Sequence, residues 1–399
     1  MNILILSNKM PYPPKDGGSI ATFCIARSFA ALDHKVTVLA MNTSKHYYNT
    51  DLIPKDISGL IEFIGVDVDT EISVFDALKN LLTKSIPYNA QRFISEEFEN
   101  RLAGLLQTRS FDVVQLEGTY LGPYIHTIRK YSTALVSMRS HNIEHEIWQR
   151  TAALAKGFRK YYLTNLAKRI KRFEVSMVNN YDVMVPITQR DGDFLHKLGC
   201  RIPMKVIPTG INSDVFEPDY QSFEFPSLFH LGALDWTPNQ EGLKWFFAKV
   251  WPLVLKEFPD LKFYLAGRNA PAYYSKLSEP NLIFLGEVEN AQDFIRSKAI
   301  MIVPLLSGSG MRIKIIEGMA LGKAIITTSI GKEGIEIEPG KHMMVADDPS
   351  GFLEALRFLL AKKENVIEMG RQAEAFVNQD YDNLKIVKSL SEFYQQQLT

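Results

Sequence analysis

The sequence predicts an α/β protein made of two doubly wound domains, and three observations carry that expectation. Short, continuously apolar runs alternate with longer stretches of helical periodicity. The series starts twice, and a stretch rich in Pro, Asp, Asn and Ser separates the two starts. Continuous apolar runs suit strands buried on both faces, as in parallel sheets covered by helices. A chain of 399 residues has ample material for two cores.

In the first series the strand candidates are ILIL (3–6), VTVLA (36–40), VVQL (113–116), ALVSM (134–138) and VMVPI (183–187), with helical stretches at 19–32 and 96–106. The second series comprises FHL (229–231), LKFYLA (261–266), LIFLG (282–286), IMIVP (300–304) and AIITT (324–328), with helices at 242–258 and 349–362. The segment VIPTGINSDVFEPDYQSFEFP between them reads as a linker. The expected boundaries are an N-terminal domain at 1–205, a linker at 206–225 and a C-terminal domain at 226–378. A helical tail at 379–399 either stays with the second domain or crosses back to the first.

Composition narrows the function. Apolar residues make up 46% and charged residues 23%, as in an ordinary soluble globular protein. Lys and Arg number 45, equal to Asp and Glu, so no global field draws nucleic acid to the chain. Cys24 and Cys200 supply neither a disulfide framework nor a zinc spacing. No apolar stretch reaches membrane-spanning length. The N-terminal ILIL lacks a basic region before it and reads as a first buried strand, not a signal peptide, so a cytoplasmic protein is expected.

The stretch SGSGMRIKIIEGMALGKAIITT (307–328) is the most informative. A glycine-punctuated loop follows a strand and opens a helix whose start carries Arg312 and Lys314. Glycines allow close backbone approach, and the helix N-terminus presents unpaired N–H groups, which together suit an anion. Glu317, one turn on, can accept hydrogen bonds from sugar hydroxyls. Phosphate plus hydroxyls points to a nucleotide or a nucleotide-sugar.

Two places in the first domain stand out. Asp16-Gly17-Gly18-Ser19 follows the first strand and opens a helix; it is either a turn with an N-cap or a backbone platform for a ligand. A GxGxxG dinucleotide fingerprint is absent there. His141-Asn142 follows the strand at 134–138, so His141 stands at a carboxyl end, where open sheets bind ligands. His141 and His145 have helical metal spacing, but the first lacks a following Glu and no third ligand stands out, so no metal is expected.

Residues 156–173 (KGFRKYYLTNLAKRIKRF) hold seven Lys and Arg, starting at Lys156, with no acid until Glu174. On a helix the aromatic and aliphatic residues, from Phe158 to Phe173, are available to another face. Such a segment is either a solvated surface over a core contact or a helix that lies on an anionic membrane.

Taken together, these pieces resemble the retaining nucleotide-sugar glycosyltransferases of family four, which have the GT-B fold. PYPPKDGGS resembles the family's P-x-x-G-G loop, and DHKVTVLA its G-H-x-V-x-V entry, with Asp33 where Gly is usual. RSHNIEHEIW is similar to the segment with the active-site histidine, and ITQRD to the S/T-x-x-D after a strand. VIPTGINSDVF resembles V-I-P-N-G-V-D-x-x-x-F, with Thr209 replacing Asn. HLGALDWTPNQEGLKWF and the 307–328 stretch are similar to a branch reading G-x-x-x-W-x-P-N-x-x-G and G-S-G-x-R-x-K-x-x-E.

The resemblance implies two Rossmann-like domains facing an interdomain cleft, the first on the acceptor side and the second binding the nucleotide-sugar. It implies retaining transfer of a hexosyl group from a UDP- or GDP-sugar to an acceptor hydroxyl, in surface polysaccharide or glycoconjugate synthesis. No cofactor or metal is implied; the partners are the donor and a saccharide or lipid-linked saccharide acceptor. By the same resemblance, Arg312 and Lys314 neutralise the donor diphosphate, and Glu317 takes the ribose hydroxyls. Gly17 and Gly18 approach the phosphate or sugar, and His141 touches the transferred sugar or β-phosphate. Ser309, Gly310 and Met311 face the donor.

Two departures qualify these roles. Ser309 stands where the first Glu of the family's Glu-x(7)-Glu pair belongs, and Ala233 stands where Arg is usual after the second domain's first strand. Two other readings share parts of this pattern. One is a GT-B-fold epimerase, with Asp16, Glu117 and Glu144 as carboxylate candidates; the other is a non-catalytic nucleotide-sugar-binding scaffold.

Overall fold

The computed structural model describes residues 1–83, 86–212, 215–308 and 310–398. The chain forms two units, Met1–Thr209 with Asn383–Thr399, and Gly210–Asp382. Residues 206–225, read from the sequence as linker, are divided between them, and Phe223 is buried in the core of the second.

The first unit holds six parallel strands: β1 (Asn2–Ser7), β2 (Lys35–Asn42), β3 (Ile61–Asp67), β4 (Val113–Glu117), β5 (Leu135–Ser140) and β6 (Val183–Pro186). Their order is β3-β2-β1-β4-β5-β6. Ile3, Leu4, Ile5 and Leu6 of β1 are all fully buried, because helices cover both faces of a central parallel strand. β3 escaped the sequence reading. It is an edge strand whose residues alternate between buried and exposed, so no continuous apolar run marks it.

The second unit repeats the plan with β7 (Glu224–Leu231), β8 (Lys262–Ala266), β9 (Leu282–Gly286), β10 (Lys298–Val303), β11 (Ala324–Thr327) and β12 (Met344–Val345), ordered β12-β11-β10-β7-β8-β9. In each unit the first and fourth strands are neighbours, with later strands added outward on both sides. Their junction is the topological switch point, where open α/β sheets leave a crevice at the carboxyl edge. Gly17-Gly18 and Glu117 follow or end the switch-point strands of the first unit. The 307–310 loop and Gly232 follow those of the second.

Helices supply the covering layers. The helix Gly17–Ala31 starts with a capping box between Asp16 and Ser19. The C-terminal helix Asn383–Leu398 belongs to the first unit, where Ile386, Val387 and Leu390 join the core beside β1. Its Tyr394 hydroxyl donates to Gln115 Oε1 at 2.7 Å and lies 2.7 Å from Ser137 Oγ. The preceding helix Lys363–Asp380 stays with the second unit.

Candidate active site

The register of the first sheet sets its site. Ser7 pairs with Glu117, and Glu117 pairs with Arg139, so all three stand in one row at the carboxyl edge. Glu117 is 4% exposed and receives hydrogen bonds on both oxygens. Arg139 Nη1 and Thr22 Oγ1 each donate to Oε2 at 3.2 Å, and Gln115 Nε2 donates to Oε1. Burial alone would raise this carboxyl; the Arg139 charge and the bonds from His141 and Gln115 overcome it and hold the pKa at about 2. Glu117 is therefore a fixed anion.

His141 is oriented by that anion. Its Nε2 lies 2.6 Å from Glu117 Oε2, so Nε2–H donates and Nδ1 carries the lone pair. Burial lowers the imidazole pKa against the opposing pull of Glu117, which keeps the ring neutral near pH 7. Nδ1 makes no hydrogen bond among the described residues, and the side chain keeps 18% of its exposure. It is thus ready to accept one from a hydroxyl.

The glycine pair lies beside a cation that the sequence reading did not single out. Lys9 Nζ donates to Asp16 Oδ1 at 2.5 Å, and a Cβ on Gly18 would stand 2.8 Å from that ammonium. Gly17 is exposed at the helix start. Asp16 also accepts from the Ser19 amide; burial opposes its ionisation, but Lys9 and that amide hold it well below the usual carboxylate range.

His145 takes no part in this group. Its Nδ1 lies 2.5 Å from Glu174 Oε2, and the amides of Glu144 and His145 donate to the same carboxylate. Glu174 therefore caps the helix Glu144–Leu154 from a neighbouring helix, Gly157–Met177, which steadies the segment after His141. Glu144 accepts from Tyr120 at 2.9 Å, and burial followed by the Glu174 charge pushes its pKa up to about 7. Among the described residues no three His, Cys, Asp or Glu are grouped to hold a metal ion.

In the second unit the glycine loop takes backbone angles that suit glycine: φ is 111° at Gly308 and 76° at Gly310. Ser309 lies outside the described residues. The loop is anchored on one side, since Ser307 Oγ donates to Glu241 Oε2 at 2.7 Å. The helix Thr237–Trp245 packs so closely that a side chain on Gly242 would collide with the Pro304 carbonyl oxygen. Arg312 is the N-cap of the helix Ile313–Ala320 and is only 5% exposed. Its guanidinium donates to the Gly310 carbonyl and lies 5.8 Å from the Trp236 ring centre, so this side chain braces the loop. Met311 is half-buried.

Lys314 reaches toward the end of β7. Its ammonium donates to Asn239 Oδ1 at 2.8 Å, and a Cβ on Gly232 would lie 3.3 Å from it. A cation thus stands beside the turn where Ala233 replaces the family's usual Arg. Burial, aided by the Arg312 charge, pulls the Lys314 pKa down to about 7. One turn on, Glu317 makes no hydrogen bond among the described residues, and burial pushes its pKa up to about 7. Beneath them His230 Nδ1 donates to the Ile302 carbonyl at 2.8 Å, while its buried Nε2 has no partner among the described residues. Burial, then the Lys314 charge, holds this imidazole well below its ordinary pKa.

Comparison with known proteins identifies the scaffold. Residues 16–215, half of the chain, match the model of Glycosyltransferase Family 4, and residues 225–362 match that of Glycosyl transferases group 1. The chain belongs to glycosyltransferase family 4. A Klebsiella pneumoniae relative, described as an uncharacterized 44.6 kDa protein in cps region, is 23% identical over 97% of this glycosyltransferase and 98% of its own length. Sucrose-phosphate synthase from Thermosynechococcus elongatus superposes with a TM-score of 0.72 at 15% identity, covering 99% of both chains. HepE from Anabaena, solved with UDP-glucose, gives 0.67 at 12% identity, covering 99% of this chain and 100% of that one. TarM gives 0.71 at 11% identity, with 99% of each chain covered. The two-unit α/β architecture is the GT-B fold, and the protein is a glycosyltransferase enzyme.

Sequence reasoning passed over Lys9, Arg139, His230 and Asn239. Asn239 had a signal, the P-N-x-x-G pattern; His230 lay inside a strand run, where a polar residue is anomalous. Lys9 and Arg139 look like ordinary surface cations until the sheet edge gathers them.

Proposed function

We propose that this glycosyltransferase moves a hexosyl group from a nucleoside-diphosphate sugar to an acceptor hydroxyl with retention of configuration. The observation that carries the reading is the pairing of Lys314 and Glu317, a half-buried cation and a half-buried carboxylate without a hydrogen bond among the described residues, one turn apart behind the glycine loop. The diphosphate is the natural counter-charge for Lys314, with the loop and helix N–H groups completing its cradle. Ribose hydroxyls are the natural donors to Glu317. In this reading the costly charge forms on the leaving diphosphate, and Lys314 with the fixed backbone dipoles stabilises it without a metal ion.

Arg312 supports the cradle from behind, and Gly310 and Met311 offer amides to the donor. Within the first unit, His141 Nδ1 accepts from a sugar hydroxyl while Glu117 fixes the ring, and Gly17 and Gly18 leave backbone open to the ligand beside Lys9. The acceptor's proton passes to the leaving phosphate on the same face. The HepE structures with UDP and UDP-glucose support a uridine-diphosphate donor. The relative in a cps region supports polysaccharide synthesis, with a saccharide or lipid-linked saccharide as acceptor.

A donor panel tests the reading. A matching UDP- or GDP-sugar near 100 times its Kd is expected to stabilise the fold by about 2.7 kcal/mol. Proton NMR of the turnover product is expected to show the donor's anomeric configuration. Absence of any shift across the panel refutes the donor site, and an inverted product refutes retention.

A further inference from the structure

We infer that the tip of the helical hairpin formed by Glu144–Leu154 and Gly157–Met177 docks this enzyme on an anionic lipid bilayer. The inference stands apart from the donor site. Two residues join the helices, and around them Leu154, Phe158 and Tyr161 are 65%, 72% and 68% exposed. Large apolar side chains this exposed, three within eight residues, are a liability in water unless something covers them.

Charge surrounds them. Lys156, Arg159 and Lys160 are interleaved with the three apolar residues and exposed, and Lys168, Lys171 and Arg172 continue along the outward face of the second helix. No carboxylate interrupts the sequence between Glu146 and Glu174, and both of those are engaged, Glu146 with Arg190 and Glu174 with His145. The inward face is fully used: Leu163, Leu166, Ala167 and Ile170 are buried. Arg169, the basic residue turned toward the protein, donates to Asn80 Oδ1 at 2.8 Å and to the Ile86 carbonyl at 3.2 Å. The remaining cations have a distinct face to themselves.

This arrangement fits one partner chemistry. An apolar wedge entering the acyl boundary, with cations held at headgroup level, matches a bilayer carrying anionic lipid. Tyrosine suits that depth, since its ring prefers the apolar side and its hydroxyl the wet side. Among the described residues no helix is long and apolar enough to cross a membrane, so the contact is peripheral.

Vesicle flotation of the full chain tests the inference. Binding is expected to vesicles enriched in phosphatidylglycerol and to be at least tenfold weaker to pure phosphatidylcholine, because each cation near the surface is worth roughly fivefold in affinity. Phe158→Ser with Tyr161→Ser, and separately Lys156→Glu with Lys160→Glu, are each expected to reduce flotation at least tenfold. Both variants are expected to keep the wild-type melting temperature and nucleotide-sugar binding, since all four side chains are exposed. Lys362→Glu with Lys363→Glu, in the other unit, is expected to change nothing. Equal binding to neutral vesicles, no binding to either, or full binding by the tip variants would overturn the inference.

Discussion

The two units share one topology and treat charge in opposite ways. At the switch point of the first, Glu117 is ringed by Arg139, His141, Gln115 and Thr22, and its pKa is held at about 2. At the switch point of the second, Lys314 and Glu317 are half-buried with little or no compensation among the described residues, and desolvation draws both pKa values to about 7. The first cluster is complete in itself and orients a histidine. The second lacks such compensation, which accords with the proposed donor site, where a charged ligand would supply it. Identical strand order therefore says where a site lies, and the charge balance says what it is for.

The largest expected effect breaks the comparison on the first side. Glu117→Ala leaves Arg139, 1% exposed, as a buried cation without its carboxylate, and is expected to cost about 3–5 kcal/mol in chemical denaturation. A loss below about 1 kcal/mol would mean that the cluster is not self-sufficient. The linkage has a definite sign. A carboxyl with its pKa lowered from 4.5 to about 2 stabilises fully above the unfolded value and loses that contribution as pH falls toward 2.

On the second side the effect is expected in binding and not in stability. Lys314→Ala removes a cation that folding desolvates, so stability should hold or rise, while donor affinity falls by about 10- to 100-fold. Calorimetric titration with the nucleotide-sugar checks the affinity, and chemical denaturation checks the stability. Unchanged affinity would remove Lys314 from the donor site, and a large loss of stability would make it structural.

The smallest effect sharpens the contrast through pH. Diphosphate binding favours protonated Lys314, and hydroxyl binding favours ionised Glu317; in the empty site both change state near pH 7. Affinity is expected to rise toward pH 7 as Glu317 ionises and fall above it as Lys314 loses its proton, by at most about tenfold per unit on each limb. Lys314→Ala should flatten the alkaline limb alone. Glu117 adds no matching acid limb, since it stays ionised throughout that range.

Much of this was legible in the sequence because of how parallel sheets are built. β1, β10 and β11 are buried on both faces, so an uninterrupted apolar run marks each of them. β3 and the two-residue β12 were not legible, the one because an edge strand alternates and the other because it is too short to carry a pattern. The glycine loop with Lys314 and Glu317 was readable because a helix fixes the geometry of residues three apart. The partners of those residues were not readable. Asn239 is 75 positions from Lys314, and Tyr394 meets Gln115 across 279 positions.

The sequence by itself determined the α/β class, the two repeats of a strand-and-helix series, the family pattern and the residues at strand ends. Those depend on periodicity and local chemistry, which any stretch of chain carries with it. Tertiary structure alone decided that Arg312 turns back onto the Gly310 carbonyl while Lys314 stands beside Gly232. It decided as well that His145 serves as a structural partner of Glu174 while His141 is held by Glu117. Burial and pairing set the charge state of each group, and both arise only when distant strands and helices close around it.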